Sequence, residues 1–196
     1  MEPAWRGTSY TPGMKVEEAR RLMHEWVENL GLRTHMEAVG ACMGAYADRL
    51  EPAQRERWVA CGLLHDFDYE KHPTSEEHPR VGVRHLESLG VDEEIRTAIL
   101  GHADYTGTPR VSLMSKALFA VDELAGFIVA CAKVRPNGIG DLEPRSVRKK
   151  LKDRAFAAAV SREDIAQGMA ELGVEEDAHI GVCIAALRAE RERLGI

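Results

Sequence analysis

The sequence predicts an all-α protein, a compact bundle of helices around one buried central helix that carries Asp122. Three observations predict it. Apolar residues recur at spacings of three and four along almost the whole chain, which is the period of one helix face. Helix-starting and helix-ending residues punctuate that pattern, and no stretch alternates apolar with polar residues as a half-buried strand would. Finally, Ser112 to Val134 is apolar almost all round, so it belongs in the middle of a bundle.

The elements follow in order. Val16, Ala19, Leu22, Met23, Trp26, Val27 and Leu30 form the first apolar stripe, and Gly31 is expected to end that helix. Thr34-His35-Met36-Glu37 reads as a capping box, in which Thr34 and Glu37 satisfy free backbone donors reciprocally. The helix it opens carries His35, Val39, Met43 and Tyr46 along one side and runs to about Leu50. A third helix follows Pro52, from about Ala53 to Leu64, with Trp58, Cys61 and His65 on its inner side. Asp66 to Pro73 reads as a loop. Thr74-Ser75-Glu76-Glu77 is a second capping box, and its helix reaches Leu89 before Gly90. Asp92 caps the next helix, which has Ile95, Ala98, Ile99 and His102 on one stripe. A turn at Gly107 and Pro109 leads into the central helix, which Asn137, Gly138 and Gly140 terminate. Helices over Pro144 to Leu151, Ser161 to Leu172 and Glu175 to Leu194 finish the chain.

A chain of 196 residues suits one domain over 1–196, with its core between about 16 and 172 and a C-terminal helix at about 175–194. Such a domain buries roughly 70% of its unfolded surface, so it needs no disulfide or metal to hold a core. A chain that is 44% hydrophobic and 30% charged is not a disordered one. Its net charge of −6 argues against duplex nucleic acid as a partner. Cys42, Cys61, Cys131 and Cys183 lie far apart in apolar stretches and form no paired metal or redox motif. They are expected to behave as small buried hydrophobes in a reducing, cytoplasmic compartment. Met1 to Gly13 holds no apolar signal segment. Ala117 to Ala132, the longest apolar stretch, is interrupted by Asp122 and Glu123 and is too short for a bilayer, so no membrane association is expected. A homodimer is the base-rate expectation, and the amphipathic C-terminal helix either closes the core or forms the dimer face.

The sharpest chemical signal is His65-Asp66 at the end of the apolar run Val59 to Leu64. Imidazole nitrogen and carboxylate oxygen are ligands for divalent transition metals. Adjacent side chains on a helix diverge by roughly 100°, yet they can serve a metal pair if the carboxylate bridges. Asp122 and Glu123 are the only charges between Lys116 and Lys133. A carboxylate on a buried helix face costs energy unless an arginine from another helix or a metal meets it. Glu123, roughly 100° round the helix, either steadies a ligand or pairs with a basic residue.

His35, His65-Asp66 and Asp122 stand in the order H…HD…D. On these residues the chain resembles the HD-domain metal-dependent phosphohydrolases over roughly Val16 to Leu172, and it looks closest to small bacterial hydrolases of the HDIG type. The supporting motifs are Leu63-Leu64-His65-Asp66-Phe67-Asp68-Tyr69, Glu77-His78-Pro79, Gly101-His102-Ala103 and Val121-Asp122-Glu123-Leu124-Ala125-Gly126. Arg135-Pro136 and the basic run from Arg145 to Arg154 also resemble that group. The resemblance implies that His35, His65, Asp66 and Asp122 hold one divalent transition metal ion. It implies that His78 and His102 hold a second, with Asp66 bridging. Manganese, iron, cobalt, nickel and zinc all suit such a donor set. His85 lies one heptad after His78 and fits the period equally, but the His78-Pro79 context selects His78. The family's usual Ile-Gly after the HD pair is Phe67-Asp68 here. Asp68 either adds a base or proton carrier near the metals or caps the following loop. His24, His72 and His179 lie on polar stretches and are expected to face solvent.

The activity so implied is release of phosphate from a small phosphorylated metabolite, such as a nucleotide, by a hydroxide that the ions generate from water. Asp66, Asp68 and Glu123 are the candidate catalytic groups. Arg33, Lys133, Arg135 and Lys149 are the candidate phosphate contacts, the last within a run of six bases in ten residues from Arg145 to Arg154. Such a run also reads as a solvated helix face. Two other functions share the pattern. One is a mixed-valent di-iron oxygenase, and the other is a regulatory module that keeps metal and ligand without turnover.

Overall fold

The computed structural model describes residues 14–196, and the Met1 to Gly13 stretch, where no signal segment is expected, lies outside the described residues. Ten α-helices follow one another among the described residues: α1 (Val16–Trp26), α2 (Leu30–Leu50), α3 (Arg55–Leu64), α4 (Arg80–Ser88), α5 (Glu93–Gly101), α6 (Leu113–Lys133), α7 (Pro144–Leu151), α8 (Arg162–Leu172), α9 (Glu176–Ala189) and α10 (Arg191–Leu194). Pro52–Gln54 and Asp104–Thr106 are single 3-10 turns. No strand occurs among the described residues, so the fold is all-α.

The two long helices, α2 and α6, each of 21 residues, pack on each other and form the frame. The all-apolar surface of α6 explains its place: α2, α5, α8 and α9 all pack against it. On the far side of α2 lies α3, which in turn carries α1; α4 rests on α5, and α7 on α9. One apolar core runs through these contacts, with Trp58, Phe67, Met36, Met43, Leu63 and Phe127 fully enclosed. Close approach of helices depends on two glycines. A Cβ at Gly62 of α3 would come within 2.8 Å of the Gly40 Cα on α2, and one at Gly168 of α8 within 2.6 Å of the Ala120 Cα on α6.

Several helix starts lie where their side chains can cap them. Asp92 accepts the Ile95 amide at 3.1 Å, Ser112 that of Ser115 at 3.1 Å, and Ser161 that of Asp164 at 3.1 Å. The expected boundary at Gly31 is overturned. α1 stops at Trp26, and Gly31 sits in the first turn of α2. Asn29 caps that turn through the Leu32 amide at 3.0 Å, and the Glu70 carboxylate accepts the Glu28 and Asn29 amides at 2.9 Å. With those donors met, the Thr34–Glu37 capping box is not formed. The Thr34 hydroxyl donates back to the Leu30 carbonyl at 2.8 Å, and Glu37 pairs with Arg20 at 2.6 Å.

The second expected capping box is also replaced. Thr74 to Glu77 forms a turn, and α4 begins only at Arg80. Proline lacks the amide hydrogen that a helix running through Pro79 would need. The C-terminal helix breaks at Glu190 into α9 and α10. His179 corrects the solvent-facing expectation: it is buried, with Nε2–H donating to the Ala120 carbonyl at 2.9 Å and Nδ1 accepting from the Tyr46 hydroxyl. All four cysteines are buried and free. No helix among the described residues is long and apolar enough to cross a membrane.

Candidate metal centre

The centre forms where α2, the end of α3, the end of α5, the turn before α4 and the middle of α6 meet. His35 comes from α2, His65 and Asp66 follow α3, His78 precedes α4, His102 follows α5, and Asp122 comes from α6. Two groups of side chains there can each coordinate an ion: His35, His65 and Asp66, and Asp66, His78 and His102.

The second group is the more regular. His78 Nε2 and His102 Nε2 are 3.3 Å apart, and each is 3.3 Å from Asp66 Oδ1. A triangle of that edge matches three ligand atoms spread around one ion at ~2.0–2.2 Å. In the first group His35 Nε2 and His65 Nε2 are 3.2 Å apart, and Asp66 Oδ2 lies 3.8 and 3.5 Å from them. Asp122 Oδ1 closes this group at 3.0 Å from His35 Nε2 and 3.3 Å from His65 Nε2. Asp66 therefore turns one oxygen toward each group.

The tautomers support a cation rather than a hydrogen-bonded network. A carbonyl oxygen can only accept, so the Nδ1 atoms of His65 and His102 must donate to Gly62 at 2.8 Å and Ile99 at 2.5 Å. His78 Nδ1 donates to Asp68 Oδ1 at 2.8 Å. Each neutral ring is left with an Nε2 lone pair aimed at Asp66 or Asp122, and such lone pairs repel unless a proton or metal lies between them. Without a metal, protons must fill that role. Burial alone would lower the pKa of His65, but Asp66 and Asp122 outweigh it and hold it well above the usual imidazole value. Burial likewise opposes the charge on His78, and the Asp66 and Asp68 carboxylates carry it up to about 9. Burial would raise the Asp66 and Asp122 carboxyls, but the neighbouring imidazoles, His65 first, hold both well below the usual carboxylate range. These donors, four imidazoles with Asp66 shared between the groups and Asp122 in the first, fit divalent transition metals.

A cavity of about 510 Å³ opens over the centre. His35, Asp66, His78, His102 and Asp122 form its floor, and Tyr69, Tyr105, Phe119, Glu123 and Asp164 are in its wall. Glu123 has no basic partner among the described residues, and its Oε2 accepts the Ser161 amide at 3.2 Å. Burial first, then Asp122, pushes its carboxyl up to about 7.

Asp68 does not reach the cavity. It is buried behind His78, with Oδ1 taken by that ring and Oδ2 by the Gly82 amide at 2.6 Å. A Cβ at Gly82 would fall 2.9 Å from the Asp68 carboxyl carbon, so this seat requires glycine. Asp68 thus holds the His78 ring by its Nδ1–H. His85, the periodic alternative to His78, packs on Trp26 with ring centroids 4.8 Å apart.

None of the four expected phosphate contacts lines the cavity. Arg33 closes the end of α1, donating to Val27 at 2.7 Å and His24 at 3.1 Å. Arg135 pairs with Asp141 at 2.9 Å beyond the end of α6, and Lys133 and Lys149 are exposed. The basic run is largely a solvated face of α7, as its charge density alone allowed: Arg148 pairs with Asp177 and Arg154 with Glu163. Tyr69 stands in the motif that begins at Leu63, but nothing local in the sequence marks Tyr105 or Asp164 as wall residues. Asp164 looks there like an ordinary acid in a first helical turn.

The fold and the centre define an all-α metal-binding protein whose two His/Asp groups share one carboxylate. Residues 32–127 match the HD domain family, a stretch that contains all six residues of the centre. The chain has no significant match among curated proteins or solved structures.

Proposed function

We propose that the protein is a metal-dependent hydrolase that releases phosphate from a small phosphorylated metabolite. The observation that carries this reading is the division of Asp66, with Oδ1 toward His78 and His102 and Oδ2 toward His35 and His65. Divalent ions held by these residues would lower the pKa of a water and draw charge from a phosphoryl oxygen. The remaining work falls to the chain. Gly62, Ile99 and Asp68 fix His65, His102 and His78 with their Nε2 atoms forward. Hydrolysis forms a bond from water oxygen to phosphorus, breaks the ester P–O bond and moves one water proton to the leaving oxygen. Glu123, in the wall beside Asp122, is the carboxyl group placed to relay that proton. The cavity volume suits a small metabolite.

The test is a phosphate-release screen over nucleotides and sugar phosphates, run on gently purified protein after elemental analysis. Release that needs added manganese, cobalt or nickel and stops with chelator is the expected result. Iron near two equivalents, substrate-dependent oxygen uptake and no phosphate release would replace this reading with an oxygenase.

A further inference from the structure

Among the described residues the cavity wall holds no lysine or arginine. Arg110, stacked 3.6 Å from Phe119 behind the wall, is committed to Glu171 at 2.7 Å and Asp104 at 2.6 Å. Arg162, one position after the capping Ser161, gives Nη1 to the Ala157 and Val160 carbonyls at 2.6 and 2.7 Å and Nη2 to the Asp153 and Phe156 carbonyls, while its buried Nε has no hydrogen-bond partner among the described residues. Arg80, beside Tyr105, gives Nη1 to the Ser75 carbonyl at 2.6 Å and Nη2 to the Tyr105 carbonyl at 3.4 Å, so among the described residues no lysine or arginine side chain lines the cavity.

The groups that are available have the opposite character. Asp164 has no ion-pair partner among the described residues, and Glu123 has only a backbone amide. Tyr69 and Tyr105 stand at 45% and 52% exposure, although most large apolar side chains of this chain are enclosed. Neither phenol hydroxyl has a hydrogen-bond partner among the described residues, and the Tyr69 ring meets the His78 ring edge to face with centroids 5.1 Å apart. Carboxylates beside exposed aromatic faces are the two elements that recognise an ammonium group, one by charge and one by the ring quadrupole. Asp164 also lies outside the stretch that matches the HD domain, whereas the ligand residues lie inside it.

We infer that the substrate of this cavity is a phosphomonoester whose alcohol portion bears an ammonium group, held by Asp164, Tyr69 and Tyr105 while the phosphoryl group faces the Asp66 centre. The inference rests on the hydrolase reading and narrows it. Nucleoside di- and triphosphates fit poorly, because their further negative charges would face carboxylates with no side-chain cation to meet them.

Three esters that differ only at the far carbon test it on the metal-loaded full chain: phosphoethanolamine, ethyl phosphate and phosphoglycolate. The expected order of kcat/KM is ammonium, then methyl, then carboxylate, with about tenfold or more between the first two, the size of one charge-assisted contact. Asp164→Asn, and separately Tyr105→Leu at its exposed position, should narrow that gap. Equal rates across the three esters, a reversed order, or a gap unchanged in both variants would overturn the inference. If no ester releases phosphate with any metal, the hydrolase reading fails by itself. Calorimetric binding of the same three esters then decides the inference, with the same order required in wild type and its loss required in the variants.

Discussion

The Asp68 carboxylate accepts the Nδ1 proton of His78 at 2.8 Å, and this contact sets which nitrogen His78 turns toward Asp66. Asp68 is itself fixed by the Gly82 amide at 2.6 Å. A carboxylate behind a ligand imidazole makes it a better donor and holds the ring in place.

Asp68→Asn should therefore weaken binding of a divalent ion at Asp66, His78 and His102 by about 10–100-fold and spare binding at His35 and His65. Competition against a chromophoric chelator measures both affinities, and circular dichroism should show unchanged helicity. Equal affinities in variant and wild type would show that Asp68 has no hold on the centre.

Gly62 lets α3 lie against α2, where an added Cβ would meet the Gly40 Cα at 2.8 Å. Backbone cannot yield as a flexible side chain does. Gly62→Ala is expected to cost about 1–3 kcal/mol of stability by overpacking. Urea unfolding checks it as a lower midpoint at unchanged slope. No shift in the midpoint would mean that the two helices can separate freely.

Burial lowers the pKa of His179, outweighing the raising effect of its bond to the Ala120 carbonyl. The folded state thus favours the neutral ring, and at pH values below its ordinary value the unfolded chain binds more protons. The stability from neutral His179 is fully present above about pH 6.5 and is lost as pH falls below that. Thermal unfolding between pH 7.5 and 5.5 should show a decline that is shallower in His179→Gln. Parallel slopes in the two proteins would contradict this. Tyr46→Phe, which leaves Nδ1 without its donor, should destabilise at neutral pH by about 1–3 kcal/mol.

Much of the architecture is legible locally. An apolar surface on all sides placed α6 at the centre, and Asp92, Ser112 and Ser161 announced helices that they cap three residues on. The features that escaped depend on partners remote in sequence. The start of α2 is settled by Glu70, 41 residues from Asn29, which no local pattern around Thr34 can reveal. His179 sits on a polar stretch but meets Tyr46 across 133 residues. The basic run shows the same limit. Charge density marks α7 as solvated, but the direction of its side chains relative to the metal cavity is set by packing on α9. Histidines were easier to place than cavity walls, because a ligand set needs particular residue types whereas a wall needs only nearness.

Asp66 offers an oxygen to each of the two ligand groups, so the central claim stands or falls with this side chain. Metal content after gentle purification, measured by elemental analysis on wild type and Asp66→Ala together, is the most direct test. The account requires tightly bound divalent metal in wild type and its loss in the variant, with helicity preserved in both. Full retention of metal by Asp66→Ala would contradict it.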